Sequence, residues 1–528
     1  MDVIVIGSGM GGMVAGALLA RCEDLRVLVL ERHFKAGGFT QTFSRPGGFT
    51  WDVGVHYVGA DVLALDIPRN ALNVATGGRI RWRRLPDPFE RIMFPGLEFA
   101  VRSGRENLQA DLSARFPDEV PGIRRWLSDV ERVAALARDM VMRGLLPRPL
   151  SELLELMRRD RWNLARTITE DYLNACFTDR RLRALVGARW GDCGLPPSQS
   201  AFLIHAIITA HYFDGAVYPS GSAATLAEAM TQVIEERGGE VRVRSEVENI
   251  LVDRGRATGV RLRDGSEIPA RWVISDAGAR STYVNLIPSN VRLPFRDTLR
   301  SIAGNSAVVL YLGLSQSPEV IGVKGENYWI YDDLDHSVNW SLRSRLLEGQ
   351  VGPVYVSFPS AKDPTAKAHT GEIIAGVSAE AFARFRRSGW RNRGDEYTAL
   401  KIVMSDALLA KAEQKIPGLA SLVRYRELST PLSVEHFTAH AGGAIYGVPW
   451  TPGRVDMRWL SPRSPIKGLC LAGADAVLPG IGGATMSGVA AAARIGGLGL
   501  FRRLAWESRR ICQPTLIGAG QDRGFSIG

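Results

Sequence analysis

Residues 2–12, DVIVIGSGMGG, and residues 26–31, RVLVLE, decide the fold of this chain. The first run, Asp2 to Ile6, is short, apolar and rich in β-branched residues, which is typical of a buried parallel strand. Glycines interrupt it, a small-residue helix is predicted from Met13 to Arg21, and a second strand from Arg26 to Leu30 ends at Glu31. This pattern predicts one β-α-β unit of a dinucleotide-binding fold.

The spacing Gly7-x-Gly9-x-x-Gly12 indicates how the turn after the first strand binds a dinucleotide. Gly7 permits the tight turn, Gly9 lets a pyrophosphate approach the backbone, and Gly12 lets the helix pack closely on the strand. The helix N-terminus offers free N–H groups and a partial positive charge to the phosphates. Glu31 follows Gly12 by nineteen residues and is expected to accept both ribose hydroxyls, which favours FAD or NAD and excludes NADP.

A second glycine-rich loop near the C-terminal end favours FAD over NAD. It follows a predicted strand, LCLAG, and opens an alanine-rich helix, so it is expected to bind the other side of the pyrophosphate or the ribityl chain. Two cofactor sites at opposite ends of the sequence suit a long cofactor. The predicted cofactor contacts are Gly7, Gly9, Gly12, Glu31, Arg32, Gly37, Gly38, Val247, Gly473, Asp475, Gly482, Gly483 and Thr485.

Composition limits the possible partners. The 528 residues contain 65 Lys+Arg and 55 Asp+Glu, a net charge of +10, which suits an anionic cofactor or lipid surface. Dispersed arginines without a recognition motif argue against a nucleic-acid partner. Five scattered cysteines with no CxxC pair indicate a reducing compartment, and His436 and His440 lack a third ligand nearby, so no metal is predicted. We expect a cytoplasmic protein, with peripheral attachment to the inner face of a membrane as an option.

Further strings resemble one family of FAD-dependent oxidoreductases. Glu31-x5-Gly37-Gly38, followed by GFTWDVGVHYVG at 48–59, is similar to the phytoene desaturase, carotenoid isomerase and retinol saturase family. The strings GDCGLPP at 191–197, GAVYPSGS at 215–222, SFPSAKDP at 357–364 and IYG at 445–447 are most similar to its retinol saturase branch. The resemblance spans about residues 1–505. It implies FAD, flavin hydride chemistry on polyenes, binding to a membrane surface and a separate electron donor or acceptor.

The predicted fold class is α/β: a discontinuous Rossmann-like FAD-binding domain of the glutathione-reductase and amine-oxidase type, a mixed-sheet substrate domain and a helical cap. Apolar residues three and four apart predict helices between Ser103 and Arg189, and strands are predicted at 307–314, 328–331 and 354–358. The predicted segments are 1–65, 215–300 and 426–505 for the FAD-binding domain, 66–214 and 301–425 for the substrate domain and cap, and 506–528 for a flexible tail.

In flavin hydride chemistry on a double bond, the catalytic groups expected from the protein are proton donors. Saturation of a double bond needs a hydride and a proton on neighbouring carbons, desaturation runs in reverse, and isomerisation needs only transient transfer. His56 is the first choice, with hydrogen bonding to the backbone as its alternative role. Tyr218 and Tyr446 could instead be amphipathic wall residues, and core packing is expected for His205 and His211. The candidates are His56, Tyr57, Tyr218 and Tyr446.

The stretch from Arg138 to Trp162 carries a membrane hypothesis. Leucines and methionines alternate there with arginines, and an apolar helix face flanked by arginines can lie in an anionic interface. The same pattern also fits a cap helix packed on its own domain. Both interpretations stay open from the sequence.

The predicted function is the saturation, desaturation or isomerisation of a double bond in a long apolar lipid, which is a carotenoid, a retinoid or an unsaturated fatty acyl chain. One alternative is a flavin amine oxidase, which an aromatic cage at the flavin would favour. Another is a non-enzymatic carrier resembling prenyl-binding escort proteins, in which the phosphate loop can degrade. Because both glycine loops and Glu31 are intact, the carrier is the least favoured of the three functions.

Overall fold

The computed structural model describes residues 1–511 and 514–518. Its strands are short and scattered along the chain. In chain order they are β1 Val3–Ile6, β2 Val27–Leu30, β3 Thr42–Arg45, β4 Phe49–Asp52, β5 Val58–Gly59, β6 Arg81–Arg84, β7 Glu90–Phe94, β8 Leu97–Val101, β9 Ala216–Pro219, β10 Glu240–Arg242, β11 Val247–Asp253, β12 Arg256–Leu262, β13 Glu267–Pro269, β14 Trp272–Ser275, β15 Ser306–Leu314, β16 Asn327–Ile330, β17 Val354–Ser357, β18 His369–Val377, β19 Val423–Ser429, β20 Leu469–Leu471 and β21 Thr515–Ile517.

The α-helices concentrate in the middle of the first half and at the C-terminal end. In chain order they are α1 Met10–Glu23, α2 Asp61–Ala64, α3 Asp66–Ala75, α4 Arg105–Arg115, α5 Val120–Ala134, α6 Leu136–Leu145, α7 Arg148–Met157, α8 Arg159–Ala165, α9 Thr169–Cys176, α10 Arg180–Gly187, α11 Phe202–His211, α12 Ala224–Glu235, α13 Arg296–Ser301, α14 His336–Ser341, α15 Pro359–Lys362, α16 Gly394–Glu413, α17 Leu419–Leu422, α18 Pro431–Thr438, α19 Pro452–Val455, α20 Gly480–Gly496 and α21 Gly499–Arg510.

A five-stranded parallel sheet contains the predicted β-α-β unit. Its order is β10-β2-β1-β14-β20, with β1 between β2 and β14. Every residue of β1 and β2 is buried, because helices cover both faces of a parallel sheet. The strands come from three distant stretches of the chain, so the predicted discontinuous dinucleotide-binding fold is confirmed.

A seven-stranded mixed sheet forms the second layer. Its order is β19-β15-β18-β17-β16-β7-β8, and only β16 and β7 are parallel. The predicted strands at 307–314, 328–331 and 354–358 correspond to β15, β16 and β17. β19 runs across the boundary predicted between residues 425 and 426, so this sheet includes residues assigned from sequence to the FAD-binding domain.

Helices α4 to α10 form the predicted cap between residues 105 and 187. The apolar spacing in α5 has its expected consequence, since Trp126, Val130 and Val133 are all buried in one core. This core continues through the aromatic residues of the seven-stranded sheet. The cap and that sheet therefore enclose one continuous apolar interior.

The C-terminal end differs from the predicted flexible tail. Helix α21 continues through Arg510, and β21 pairs in parallel with β6, so residues 506–510 and 515–517 are regular structure. Of the remaining predicted tail residues, 512–513 and 519–528 lie outside the described residues. In the described part, no single helix is long and apolar enough to cross a membrane, and only α20 with α21, bent by 119°, passes the same criteria as a pair.

Candidate active site

A cavity of about 840 Å3 lies between the two large sheets. Its wall includes the loops that follow β1, β2, β14 and β20, together with residues of β15, β17 and β18. These loops all stand at the carboxyl edge of the parallel sheet, where α/β proteins bind dinucleotides. The volume is at the upper end of the range for small-molecule sites.

The first glycine loop has the geometry expected of a phosphate-binding turn. Gly7 adopts a φ of 90°, which a residue with a side chain rarely adopts. A Cβ on Gly12 would lie 2.7 Å from the carbonyl oxygen of Gly7 and 2.9 Å from a Val5 methyl group. Helix α1 can therefore begin directly on β1, with the free N–H groups of its first turn at the cavity.

Glu31 is held in place by its neighbours. Its Oε2 accepts hydrogen bonds from the Ser8 N–H and hydroxyl at 2.9 and 2.7 Å, and its Oε1 accepts one from the His33 N–H at 2.7 Å. The Gly37 N–H in turn donates to the Ser8 hydroxyl at 2.9 Å. The carboxylate lies on the cavity wall and keeps lone pairs for ribose hydroxyls. Ser8, which the sequence analysis did not identify, links the two glycine segments.

The C-terminal loop supplies the opposite side of the cradle. Gly473 adopts a φ of 85°. Asp475 is 5% exposed, and its two carboxylate oxygens accept hydrogen bonds from the Ala279 and Val448 N–H groups, each at 2.7 Å. Helix α20 begins at Gly480, so a second helix N-terminus opens at the cavity wall.

Asp276 lies between the two glycine loops. A Cβ on Gly9 or Gly473 would overlap its carboxyl group, and its Oδ2 is buried without a hydrogen-bond partner. Burial raises the pKa of Asp276 to about 7, and the nearby Glu31 and Asp475 charges add to the rise, against a hydrogen bond from Gly12. Two glycine-rich loops and two helix N-termini fit the pyrophosphate of FAD.

Most of the predicted cofactor contacts reach the cavity wall, and three do not. Gly12 packs the helix on the strand and donates a backbone hydrogen bond to Asp276, and Gly37 hydrogen-bonds Ser8 and Thr40. Thr485 is fully buried behind the wall, so its predicted contact with the cofactor is wrong. The residues on the wall are Gly7, Gly9, Glu31, Arg32, Gly38, Val247, Gly473, Asp475, Gly482 and Gly483.

The other end of the cavity is an aromatic chamber. The rings of Tyr57 and Tyr212 stack with centroids 4.7 Å apart, and those of Trp329 and Tyr355 lie 4.6 Å apart. Such flat apolar surfaces suit a conjugated or unsaturated chain. The aliphatic part of the wall includes Ile204, Ile207, Ile208, Ile374 and Leu478.

His56 lies on the wall of this chamber, with a buried charged cluster behind it. Its Nδ1 is 2.7 Å from Oε2 of Glu372, which is fully buried on β18. The Lys362 ammonium donates to the His56 carbonyl oxygen at 2.7 Å and to the Ser357 hydroxyl at 2.7 Å. Burial lowers the pKa of Lys362 to about 7, although the Glu372 charge opposes the shift.

The predicted tyrosines fall in different places. Tyr57 and Tyr446 are on the cavity wall, and burial raises the pKa of Tyr446 well above its usual value. Tyr218 is not on the wall: it is 1% exposed, and its hydroxyl donates to the equally buried Asp52. A role for Tyr218 in proton transfer to substrate is therefore wrong. Burial, followed by the Glu372 charge, raises the pKa of Asp52 to about 7.

A second buried acid supports the aromatic wall. Glu90 accepts hydrogen bonds from the Tyr57 hydroxyl at 2.8 Å, the Trp329 indole at 2.6 Å and the Arg189 guanidinium at 2.8 Å. It is fully buried and fully partnered. His211 is also on the cavity wall, where its Nε2 accepts from the Gly59 N–H at 2.9 Å, so the expectation of core packing was wrong.

The sheet, the two glycine loops and the cradle define an FAD-dependent oxidoreductase. The chain belongs to the family of flavin containing amine oxidoreductases, whose model matches residues 10–496. Two solved structures share the fold at low identity. Cyclohexylamine oxidase from Brevibacterium oxydans IH-35A has a TM-score of 0.59 and 14% identity, covering 96% of this chain and 99% of that one. Putrescine oxidase bound to putrescine has a TM-score of 0.59 and 15% identity, covering 94% and 98%.

Similar proteins of known name define the position of this chain within the family more closely. All-trans-retinol 13,14-reductase of Danio rerio is 31% identical over 519 residues, covering 92% of this chain and 84% of the relative. The human protein of that name is 30% identical, covering 92% and 83%. Chloroplastic prolycopene isomerase of Arabidopsis thaliana is 27% identical, covering 94% and 82%. The resemblance to the carotenoid isomerase and retinol saturase branch is confirmed.

Four residues of the site were missed from the sequence. Ser8 and Asp276 each follow a predicted strand of the parallel sheet, a position that marks the binding edge and could have identified them. Glu372 had no comparable signal, and Lys362 lies in the string SFPSAKDP at 357–364 without a predicted role. They reach His56 only because β17, β18 and α15 pack behind it.

Proposed function

We propose that the protein is an FAD-dependent saturase that adds hydrogen across a carbon–carbon double bond of a polyene lipid. The observation that carries the proposal is the His56–Glu372 pair on the wall of an apolar aromatic chamber. Saturation needs a proton donor beside the accepting carbon, whereas isomerisation leaves no net proton on the substrate. The 31% identity to a retinol 13,14-reductase over 92% of the chain also supports saturation as the direction of the reaction.

A buried cluster of acidic and basic groups lies behind His56. Burial lowers the pKa of Lys362 and raises the pKa of Asp52, each to about 7, so both groups exchange protons near neutral pH. Nδ1 of His56 faces Glu372, which leaves Nε2 as the nitrogen that can give a proton to the chamber. FAD, when bound, supplies hydride transfer to the neighbouring carbon.

The chamber disfavours an amine substrate, although it is aromatic. The Arg189 guanidinium lies 5.3 Å from the centroid of the Tyr212 ring, and the Lys362 ammonium lies 6.0 Å from that of Tyr57. These cations take positions over ring faces that would attract a substrate ammonium. A neutral polyene meets no such repulsion.

The test is single-turnover saturation by the dithionite-reduced holoenzyme with all-trans-retinol as the probe. His56→Gln should keep its flavin and slow product formation by roughly 100-fold or more, the range of general acid catalysis. His369→Gln is the matched control, since His369 is partly exposed and does not line the cavity. A rate for His56→Gln within threefold of wild type overturns the acid role. A wild-type protein that binds FAD and yields no saturated product overturns the function, and failure to bind FAD favours a carrier.

We further propose that a separate donor reduces the enzyme. The chain carries one glycine fingerprint after a strand, and it belongs to the FAD cradle. Anaerobic mixing of the oxidised holoenzyme with NADPH or NADH should therefore leave the flavin spectrum unchanged. Bleaching by either nucleotide within seconds would contradict this.

We also propose that the protein is cytoplasmic and attaches to an anionic membrane surface through α7. Four apolar side chains of this helix are solvent-exposed, with Leu156 and Met157 at 65% and 72%. Arg148 and Arg159 flank them, and both are exposed. This is the arrangement of an interfacial helix. The four apolar residues are Leu150, Leu153, Leu156 and Met157.

Vesicle co-sedimentation tests the membrane surface. Wild type should bind vesicles that contain phosphatidylglycerol better than pure phosphatidylcholine vesicles, and the double change Leu156→Ser with Met157→Ser should abolish the binding. Val320→Ser, at a residue 59% exposed elsewhere, is the control and should bind as wild type does. Equal binding by the double variant would remove α7 from the proposal.

A further inference from the structure

One glycine of the seven-stranded sheet is not required by the backbone or by packing. A glycine inside a strand weakens it, and it usually marks a bulge, a close contact or the approach of a ligand. Gly376 lies in β18 opposite Ala307 of β15, in a register without a bulge. A Cβ there would meet no atom of the described residues within 4 Å, and its φ is outside the left-handed region. The approach of a ligand is the reason that remains.

Two other glycines of the same sheet show what close packing requires. A Cβ on Gly371, also in β18, would lie 3.2 Å from the Phe358 ring, and one on Gly313 of β15 would lie 2.8 Å from the Phe49 ring. Aromatic side chains cover both positions. Gly376 differs from them because it is exposed on the wall of the cavity.

Gly376 lies on the same face of β18 as the acidic partner of His56. Side chains alternate along a strand, so every second residue from Glu372 onwards shares this face. Glu372 is 2.7 Å from Nδ1 of His56, and Ile374 lines the cavity between Glu372 and Gly376. The rise per residue of a strand places Gly376 roughly 13 Å beyond Glu372. One wall of the cavity therefore runs from the proposed proton donor to Gly376.

The cavity is wide and partly open at this end of β18. Ala307, the partner of Gly376 on β15, also lines it, so two neighbouring strands carry their smallest side chains there. Trp340 and Pro353 complete this end of the wall, and both are half-buried. A long chain that passes His56 therefore has room for its far end over Gly376.

We propose that Gly376 determines the length of the substrate chain that the chamber accepts. The chain lies along β18 with its reacting double bond beside His56, and its far end occupies the space over Gly376 and Ala307. A larger side chain at position 376 would fill this space, which excludes a long chain by steric overlap and leaves room for a short one. This inference rests on the proposed function and specifies the substrate by the length of its chain.

Equilibrium dialysis with the oxidised holoenzyme tests this length limit without turnover. The probes are all-trans-retinol and β-ionol, a shorter alcohol with the same type of ring and only the first part of the polyene chain. Gly376→Phe should weaken retinol binding roughly 10-fold or more and leave β-ionol binding within about twofold, because only the longer chain extends from His56 to position 376. Gly376→Ala should weaken retinol binding less, so that the loss grows with the size of the side chain.

Gly389→Phe is the matched control. A Cβ on Gly389 also meets no atom of the described residues within 4 Å, its φ is outside the left-handed region, and it does not line the cavity. Both probes should therefore bind this variant as they bind wild type. Unchanged retinol binding in Gly376→Phe would overturn the proposal, and so would an equal loss of both probes in Gly376→Phe and Gly376→Ala.

The saturase and the length limit can fail separately. If reduced wild type yields no saturated product but Gly376→Phe still discriminates between the probes, the length limit stands and the saturase falls. If reduced wild type saturates retinol and Gly376→Phe binds retinol as wild type does, only the length limit falls.

Discussion

The two ends of the cavity present different chemical groups to a ligand. At the cofactor end, the ligand meets backbone groups, glycine turns and two helix N-termini, and the main side-chain link joins Ser8 to Glu31, residues 23 apart. In the chamber, the linked pairs are far apart in the chain, such as His56 with Glu372 and Glu90 with Trp329, the latter 239 residues apart. The first phosphate turn, with Ser8 and Glu31, is therefore encoded locally, whereas the chamber is encoded by the packing of distant elements.

The two ends also differ in how they handle charge. The cofactor cradle stabilises an anion mainly through neutral N–H groups and helix dipoles, which require little desolvation of the protein. The chamber buries Lys362, Glu372 and Asp52 together, and burial moves the pKa of Lys362 and of Asp52 to about 7. Removing one charge there leaves the others uncompensated. The cradle should thus tolerate added side-chain volume poorly, and the chamber should tolerate the loss of a charge poorly.

The largest effect should come from changing the shape of the cradle. A Cβ on Gly11 would overlap the backbone of Gly473, where neither loop can give way. Gly11→Ala should therefore purify with less than about a tenth of the wild-type flavin content, as measured by absorbance at 450 nm against 280 nm. Gly16→Ala lies in the same helix, and its nearest contacts are side-chain methyls at 3.3 and 3.4 Å, so it should retain flavin. Full flavin content in Gly11→Ala would show that the cradle tolerates a change of shape.

Removing one charge behind the chamber should have the next largest effect. Lys362 is 3% exposed, and its ammonium also donates to Asn327 at 2.5 Å. Lys362→Met keeps the volume and leaves Glu372 uncompensated, so the free energy of unfolding should fall by about 3–5 kcal/mol. The matched change at the cofactor end is Glu246→Gln, which removes a 34%-exposed partner of Arg263 and should cost about 1 kcal/mol or less.

Denaturant unfolding of the two holoenzymes measures this difference. Equal decreases in the free energy of unfolding for Lys362→Met and Glu246→Gln would show that burial does not raise the cost of removing a charge. That outcome would remove the distinction between the two ends of the cavity. A smaller flavin content in Lys362→Met, checked by absorbance, would indicate that the effect spreads from the chamber to the cradle.

The smallest effect should be the pH dependence of alcohol binding. Burial, followed by the Glu90 charge, raises the pKa of Asp192 to about 7. The proton therefore stays on Asp192 until the pH passes this value, and only the ionised form accepts a charge-assisted hydrogen bond. The affinity for all-trans-retinol should rise a few-fold as the pH increases through 7. Arg189 stays paired with Glu90, and His211 with Asp61, and both pairs are common to wild type and variant.

The pH profile of Asp192→Asn provides the comparison. Its affinity should be the same on both sides of pH 7, because it has no proton to lose at that position. A profile that keeps the wild-type slope would assign the titration to another group of the chamber. Quenching of tryptophan fluorescence by all-trans-retinol measures both profiles.

The sequence was most informative where function depends on neighbours in the chain. Gly7, Gly9 and Glu31 were predicted because a strand, a turn and a helix must follow one another at set distances to hold a pyrophosphate. It was least informative about side-chain direction. Tyr218 stands in a glycine-rich string like His56, yet β9 directs it towards Asp52 and away from the cavity. His211 was expected in the core and lines the wall.

The sequence by itself determined the class of fold and the cofactor, because local spacing and backbone freedom specify the β-α-β unit and its phosphate turn. It also indicated His56, through a string that resembles one family. Only the tertiary structure decided what surrounds that histidine. Glu372 and Asp192 lie beside one chamber because sheet pairing and cap packing bring them there, and burial raises the pKa of Asp192 to about 7.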